Sequence, residues 1–408
     1  MRSWKANFIA LLIAETLAMV GFGLSSPVLP LFLEEDLGIT DPVRLKAWVG
    51  IISTAASFTL AVFAPIWGHL SDIFNRRVML LRAMFGGACI ITLMTFANSP
   101  WQLLVLKTIQ GCLTGTVAAA TVIVANISPV AQMAFCLGLL TTGISVGNSL
   151  GPLLGGIIAD FLGYRITFLS TGIVLALGGF IVLKFVDKDN GGVQNIPAAE
   201  NNEKAKKKFK LFPSFGPIFA SPVLFTIMLV SLSINTASSI ASPMLPLFLK
   251  ELALRVSGEA LFIGSSTGIV LGVGSATSAL AAVLVGKYSM RLGYWRTLLI
   301  CVTAGAIMTV PQIFVINMQQ LTILRAFSSF FIGGTSPVIS ALIVVTCEKK
   351  SQGAIFGINS AMAFIGSALG PLIGTAAAMI SYRTSFLVSA SIIFLCVFAV
   401  LKRREKAK

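Results

Sequence analysis

The sequence predicts an all-α membrane protein in which 12 transmembrane helices form two six-helix, pseudo-symmetric bundles. Three observations predict it. Of the 408 residues, 56% are hydrophobic and only 11% charged, where a soluble domain carries roughly 25% charged residues. The long apolar runs show no polar face, and each spans about 20 residues or more, enough to cross a hydrocarbon core about 30 Å thick. An octapeptide near the start of the chain also returns, nearly unchanged, in its second half.

The helices follow in order. The first, 7–33, opens after Arg2 and Lys5 and contains one acid, Glu15. Its basic start is similar to a secretory leader, but the apolar run has no small-residue cleavage site, so it is expected to be retained. The second, 47–67, lies between Lys46 and Gly68, and the third, 77–97, starts at the pair Arg76 and Arg77. Helices four to six are predicted over 102–126, 134–160 and 165–186, the fifth rich in glycine. The second half offers 217–249, 260–286, 297–317, 320–346, 354–380 and 383–402.

Charge sets the orientation. With the N-terminus inside, most of the 30 Lys and Arg residues fall in inside segments, among them Arg76, Arg77, the 184–216 stretch, Lys349, Lys350 and the last residues of the chain. Cytoplasmic loops are enriched in these residues, so a multi-pass protein of the cell inner membrane with both termini cytoplasmic is expected. The same placement argues against nucleic acid as the reason for a net charge of +15, because the cations punctuate apolar runs instead of forming one patch. The six cysteines stand singly in apolar stretches, without disulfide pairing or metal-ligand spacing. The polar stretch 188–216 reads as a cytoplasmic linker, its Lys204 to Lys210 cluster lying against anionic lipid headgroups. The domains are thus 1–187, the linker 188–216, and 217–408.

The repeat is specific. Ser26-Pro27-Val28-Leu29-Pro30-Leu31-Phe32-Leu33 recurs as Ser242-Pro243-Met244-Leu245-Pro246-Leu247-Phe248-Leu249, and Gly147 to Gly155 is echoed by Gly366 to Gly374 around Leu-Gly-Pro-Leu. Tyr164-Arg165 returns as Tyr382-Arg383, and Lys107 as Arg325. Six helices separate equivalent positions, so both halves start on the same side and their axis runs along the membrane normal. A solute site would lie between them near the midplane. A channel or scaffold is the plainer reading of such a bundle, but two equivalent halves rocking about one central site suit alternating access better.

Motifs make the resemblance concrete. Gly68-His69-Leu70-Ser71-Asp72-Ile73-Phe74-Asn75-Arg76-Arg77 between helices two and three has a glycine expected to turn the chain, an acid for the positive end of the next helix, and a basic pair held at the cytoplasmic face. Asn75 is expected to tolerate a left-handed backbone there. This loop resembles the signature of the major facilitator superfamily, which implies a gating latch. Ile73 replaces a usual basic residue, and the second copy, Gly286 to Gly293, keeps its glycines but has Met290 in place of the acid. In helix five, Gly143, Gly147, Gly151, Pro152 and Gly155 put a small residue at every fourth position, a face for close helix packing with a proline bend. That pattern resembles the drug:proton antiporter branch, which implies export. Lys107 before Gln110-Gly111 in helix four is similar to a further family motif, with Lys where Arg is usual.

A charge inside a helix is costly, so Lys107 should face the cavity or a partner, unless it snorkels to the outer surface; with Glu15 it is expected to form the proton-coupling site. Glu15 is either a proton carrier or a structural ion pair with Lys107 or another cation. Its spacing from Pro27 is similar to that of the embedded acid in some drug:proton antiporters. Arg82, near the cytoplasmic end of helix three, is expected to snorkel or to pair with a loop acid. Gln110, Asn148, Asn235, Asn359 and Arg325 are expected to line a cavity beside phenylalanines, a surface for hydrophobic or cationic amphiphiles.

No G-x-x-x-x-G-K-[ST] loop occurs, so transport is expected to be secondary, with the proton gradient as the energy source; no cofactor, no metal and no enzymatic chemistry is expected. The expected partners are a small-molecule substrate, protons and membrane lipids, and the expected state is a monomer. A dedicated metabolite or siderophore exporter and a proton-coupled nutrient importer are the alternatives.

Overall fold

The computed structural model describes residues 3–73, 75–129, 132–187, 221–347 and 352–406; for a few of these, Gly68 and Asp72 among them, only the backbone is described. The linker 188–216 and its lysine cluster lie outside the described residues. Among them, 12 helical spans are long and apolar enough to cross a membrane, and the chain is an all-α, two-bundle membrane protein. The first six are α1 (Trp4–Asp36), α2 (Pro42–Ile73), α3 (Arg76–Met94), α4 (Pro100–Ile127), α5 (Met133–Leu162) and α6 (Tyr164–Phe185). The rest are α7 (Pro222–Val256), α8 (Ile263–Leu292), α9 (Tyr294–Phe314), α10 (Met318–Thr346), α11 (Gln352–Ile380) and α12 (Tyr382–Lys406). An even number of crossings puts both termini at one face, the terminal face; the opposite one is the distal face.

The repeated octapeptide bends both of its helices. In α1 the regular helix stops at Leu24 and resumes at Leu29 after Ser25 to Val28; in α7 it stops at Ile240, and a 3-10 turn covers Ser242–Met244. Pro27 and Pro243 have no N–H to give to the preceding turn, which interrupts the ladder at the same place in each copy.

Two expectations at the signature loop are corrected. Helix α2 runs on through Gly68 and Asp72 to Ile73, so Gly68 does not turn the chain. The turn is made just beyond, where Asn75 caps α3 by accepting from the Arg77 N–H at φ −60°. Its side chain takes up an orphan amide of the helix start, so no left-handed backbone is needed. Arg77 reaches the carbonyl of Leu183 at the C-terminal end of α6, where the helix dipole favours a cation. In the second copy Gly286 lies within α8, and only Gly293, at φ 85°, is in a turn. Arg82 has no carboxylate partner among the described residues; its guanidinium stacks 3.3 Å from the Trp67 ring centroid.

Small residues bring the helices together. A Cβ on Gly155 would fall on the Leu24 carbonyl, and one on Gly147 would lie 2.5 Å from Met19 Cβ, so α5 rests on α1 along the expected glycine face. The other side of α5 meets α8: Gly156 is against Gly264, and Gly268 is against the Pro152 carbonyl. On the far side of the molecule, Gly50 of α2 packs on Thr375 of α11. These two contacts join the halves. At the distal end, Leu31 of α1 is buried in a cluster with Leu245, Phe248, Ile263 and Phe386 of the second half, which seals that face.

Polar links reinforce the seal. Lys250 Nζ lies 3.0 Å from Glu34 Oε2 and 3.0 Å from Glu35 Oε1. Asp160 at the end of α5 accepts from the Gly264 and Ser265 amides at 2.9 and 2.6 Å, capping the start of α8. Lys46 at the start of α2 donates to the Ala378 carbonyl near the end of α11 at 2.8 Å. The first cap gives an acid to a helix N-terminus and the second a cation to a helix C-terminus, each matching the local dipole.

Candidate functional site

Helix α4 is broken at mid-membrane. Its first piece ends at Leu113 and its second begins at Thr116, because Gly115 takes φ 126°, a conformation that side-chain-bearing residues rarely adopt. The break leaves Thr116 at the positive end of a half-helix, the arrangement membrane proteins use to meet anionic groups. Glu15 of α1 is there. It is fully buried, its Oε1 accepts from Thr116 Oγ1 at 2.7 Å, and its Oε2 has no partner. No ion pair joins Glu15 to Lys107 or to another cation among the described residues. The carboxyl is therefore held by one hydroxyl and a helix end, a site that can hold a proton without surrendering a salt bridge.

Lys107 lines a cavity of about 210 Å³ between the halves, together with Phe22, Ser25, Ser26 and Gln110 from one half and Ser242 and Pro243 from the other. A second, larger cavity of about 450 Å³ is lined by Asn148 of α5 and by Arg325, Ser275, Ser278, Ser328 and Ser242 of the second half. Ser242 borders both, so the two adjoin there, as two compartments of the space between the halves. Neither Lys107 nor Arg325 has an ion-pair or hydrogen-bond partner among the described residues.

The remaining expected site residues fall elsewhere. Asn235 donates its amide to the Ser231 carbonyl one turn back in its own helix, and Asn359 keeps a buried Oδ1 without a partner; neither lines the two compartments. Gly143, Gly147, Gly151, Pro152 and Gly155 form the α1 contact behind the chamber. The Asp72 side chain lies outside the described residues. The expected phenylalanine lining is corrected: Phe22 is the one aromatic among the residues lining these compartments, and serine dominates. Many phenylalanines, such as Phe58, Phe96 and Phe180, are exposed on the bundle surface instead, where lipid tails solvate them as well as a protein core would.

Thr116, Asp160 and the Glu34–Lys250 pair are absent from the sequence expectations. A signal for Thr116 exists: Gly115-Thr116 and Gly334-Thr335 stand at matching places in the repeat, and paired glycine interruptions in apolar helices point to a binding site.

Two helical halves, closed at one face and enclosing a polar chamber at mid-membrane, define a membrane transporter, not an enzyme. The chain belongs to the Major Facilitator Superfamily, whose family profile matches residues 11–318 and again 262–408. It is 31% identical over 393 residues to multidrug resistance protein MdtG of Proteus mirabilis, covering 96% of this chain and 94% of that one. It is 30% identical over 407 residues to MdtG of Klebsiella pneumoniae, covering 99% and 95%. Among solved structures, a bacterial homologue of the lysosomal transporter Spinster in an inward-facing conformation aligns with a TM-score of 0.75 at 14% identity, covering 98% of each chain. The nucleoside transporter NupG aligns at 0.74 and 14%, covering 97% of this chain and 98% of that one. At such identities these structures speak to fold alone.

Proposed function

We propose that this chain is a proton-coupled exporter of drugs or other amphiphilic small molecules, working by alternating access in the cell inner membrane. Both termini are cytoplasmic, the distal face is the external one, and the unit is a monomer whose basic linker lies against anionic headgroups. The MdtG relatives, multidrug resistance proteins by name and alike over nearly the whole chain, support the direction and the solute class.

The coupling rests on Glu15. A fully buried carboxyl with one oxygen on Thr116 and the other free of partners can bind a proton when the chamber opens to one side and release it to the other. A returning proton supplies about 2.3 kcal/mol per 100 mV of membrane potential, enough to drive export without a nucleotide.

The test is Glu15→Gln in proteoliposomes with an imposed pH gradient, following outward movement of a fluorescent amphiphile. The amide keeps the Thr116 hydrogen bond but carries no exchangeable charge. Gradient-driven efflux is expected to vanish while counterflow of the same probe persists; efflux at the native rate would remove Glu15 from the mechanism.

A further inference from the structure

The second half holds an internal control for the break in α4. Gly115-Thr116 and Gly334-Thr335 stand at matching places, but Gly115 takes φ 126° while Gly334 stays right-handed at φ −64°. Two further residues differ between the copies. Glu15 is matched by Ser231, at the offset of the octapeptide, and Trp67 is matched by Val285, at the offset that relates Gly68 to Gly286. Acid, indole and break occur together in the first half, and none of the three is at the matching place in the second.

Hydrogen bonds at the break connect them. In a continuous helix the Cys112 carbonyl would accept from the Thr116 amide, four residues on. The turn at Gly115 removes that bond, and the Trp67 indole N–H takes the carbonyl instead at 2.6 Å. The Gln110 carbonyl is closed off within the first piece by Thr114, whose amide and hydroxyl donate to it at 3.0 and 2.9 Å. Thr116 is thereby left to open the second piece and to give its hydroxyl to Glu15. The two pieces also rest on different neighbours: the first packs chiefly on α2, with Gly111 against Thr59 and the Ala56 carbonyl, and the second on α1 and α3. In the second half Val285, which has no donor to offer, fills the matching place against Gly334.

We infer that Trp67 is a positioning residue of the proton site: by taking the Cys112 carbonyl it holds α4 broken, and the break brings Thr116 to Glu15. This rests on the coupling role of Glu15 proposed above and names how that site is switched. The Trp67 indole and the Thr116 amide compete for one carbonyl, so α4 has two arrangements. With Trp67 bonded, the helix is broken and Thr116 serves Glu15; with Trp67 withdrawn, the ladder closes across Gly115 and draws Thr116 away, a two-state element of the kind that coupling between sites requires. Trp67 directly precedes Gly68 of the signature loop and stacks on Arg82 of α3, so a rearrangement of α2 and α3 at the terminal face reaches a carboxyl inside the membrane. Lys107 and Gln110 ride on the first piece of α4 and border the smaller compartment, so the same joint ties the proton site to the solute space.

The experiment uses the full chain. Trp67→Phe keeps the ring over Arg82 and loses the N–H. In proteoliposomes it should lower gradient-driven efflux of the fluorescent amphiphile about tenfold, the scale of one lost hydrogen bond, and leave counterflow close to wild type. Gly115→Ala, which penalises the break without touching Trp67, should show the same split. Val117→Pro puts a proline in the first turn of the second piece, where it is tolerated but where its ring forbids a closed ladder; added to Trp67→Phe, it should restore most of the lost efflux. In nanodiscs without any gradient, amide hydrogen exchange of the 112–118 segment should slow in Trp67→Phe, as the Thr116 amide finds the Cys112 carbonyl. Native efflux in Trp67→Phe, equal loss of efflux and counterflow in both single variants, no recovery in the double variant, or unchanged or faster exchange would each overturn the inference. Exchange involves no coupling, so if Glu15→Gln leaves efflux intact the role of Glu15 falls while exchange still decides the joint.

Discussion

Lys250 and Glu34 hold the same position in the two copies of the repeat, one directly after each octapeptide, and their side chains meet at 3.0 Å across the distal face. A duplicated segment has acquired opposite charges at equivalent sites, so the two copies attract where they approach. The pair is partly exposed, with side-chain accessibilities of 23% and 28%.

Reversing one charge should loosen the seal. At partly exposed sites an ion pair is worth about 1 kcal/mol or less, but Lys250→Glu turns attraction to Glu34 and Glu35 into repulsion, so the balance of access states should shift by roughly fivefold or more toward distal opening. Labelling of a cysteine introduced at Ser242 by a membrane-impermeant maleimide from the distal side reads that shift. The double exchange Glu34→Lys with Lys250→Glu should bring labelling back most of the way, though Glu35 limits the return; a double variant as open as the single one would show that the pair does not hold the gate.

Thr116→Val removes the one hydrogen bond found for Glu15. Stranding a buried acceptor costs about 1–3 kcal/mol, and gradient-driven efflux should fall accordingly. Thr116→Ser keeps the hydroxyl and should stay near native. In a double-mutant cycle with Glu15→Gln, followed by thermal unfolding, additive effects would mean that the hydroxyl and the carboxyl act independently.

Gly115→Ala should destabilise by about 1–3 kcal/mol, the cost of forcing a side chain into an unfavourable backbone region. Nothing lies within 4 Å of the added methyl, so the whole effect is conformational. If Gly115→Ala unfolds at the native temperature and exports normally, the break in α4 is not needed.

Gly155→Ala should be far worse than Gly138→Ala. The first drives a methyl into the Leu24 carbonyl, whereas the second has open space around it. Overpacking costs about 1–3 kcal/mol, which a melting curve in detergent resolves. Equal melting points for the two variants would contradict the close α1–α5 contact.

Membrane insertion is a property of about 20 consecutive residues, and a repeat is a property of the string itself, so the 12 spans, the duplicated octapeptide and the glycine face of α5 were legible in the sequence. The end of α2 was not legible: a glycine ahead of a polar stretch suits a turn, while the chain keeps its hydrogen-bonded ladder through Gly68 to Ile73. Partnership was not legible. Glu15 meets Thr116, 101 residues away, and not Lys107, because helix rotation and the close α1–α5 approach decide which faces touch. The same rotation turns Lys107 and Arg325 toward the chamber and leaves phenylalanines on the bundle surface. Local composition chose the solvent for each helix; only the packing of helices against one another chose which side chains face the solute.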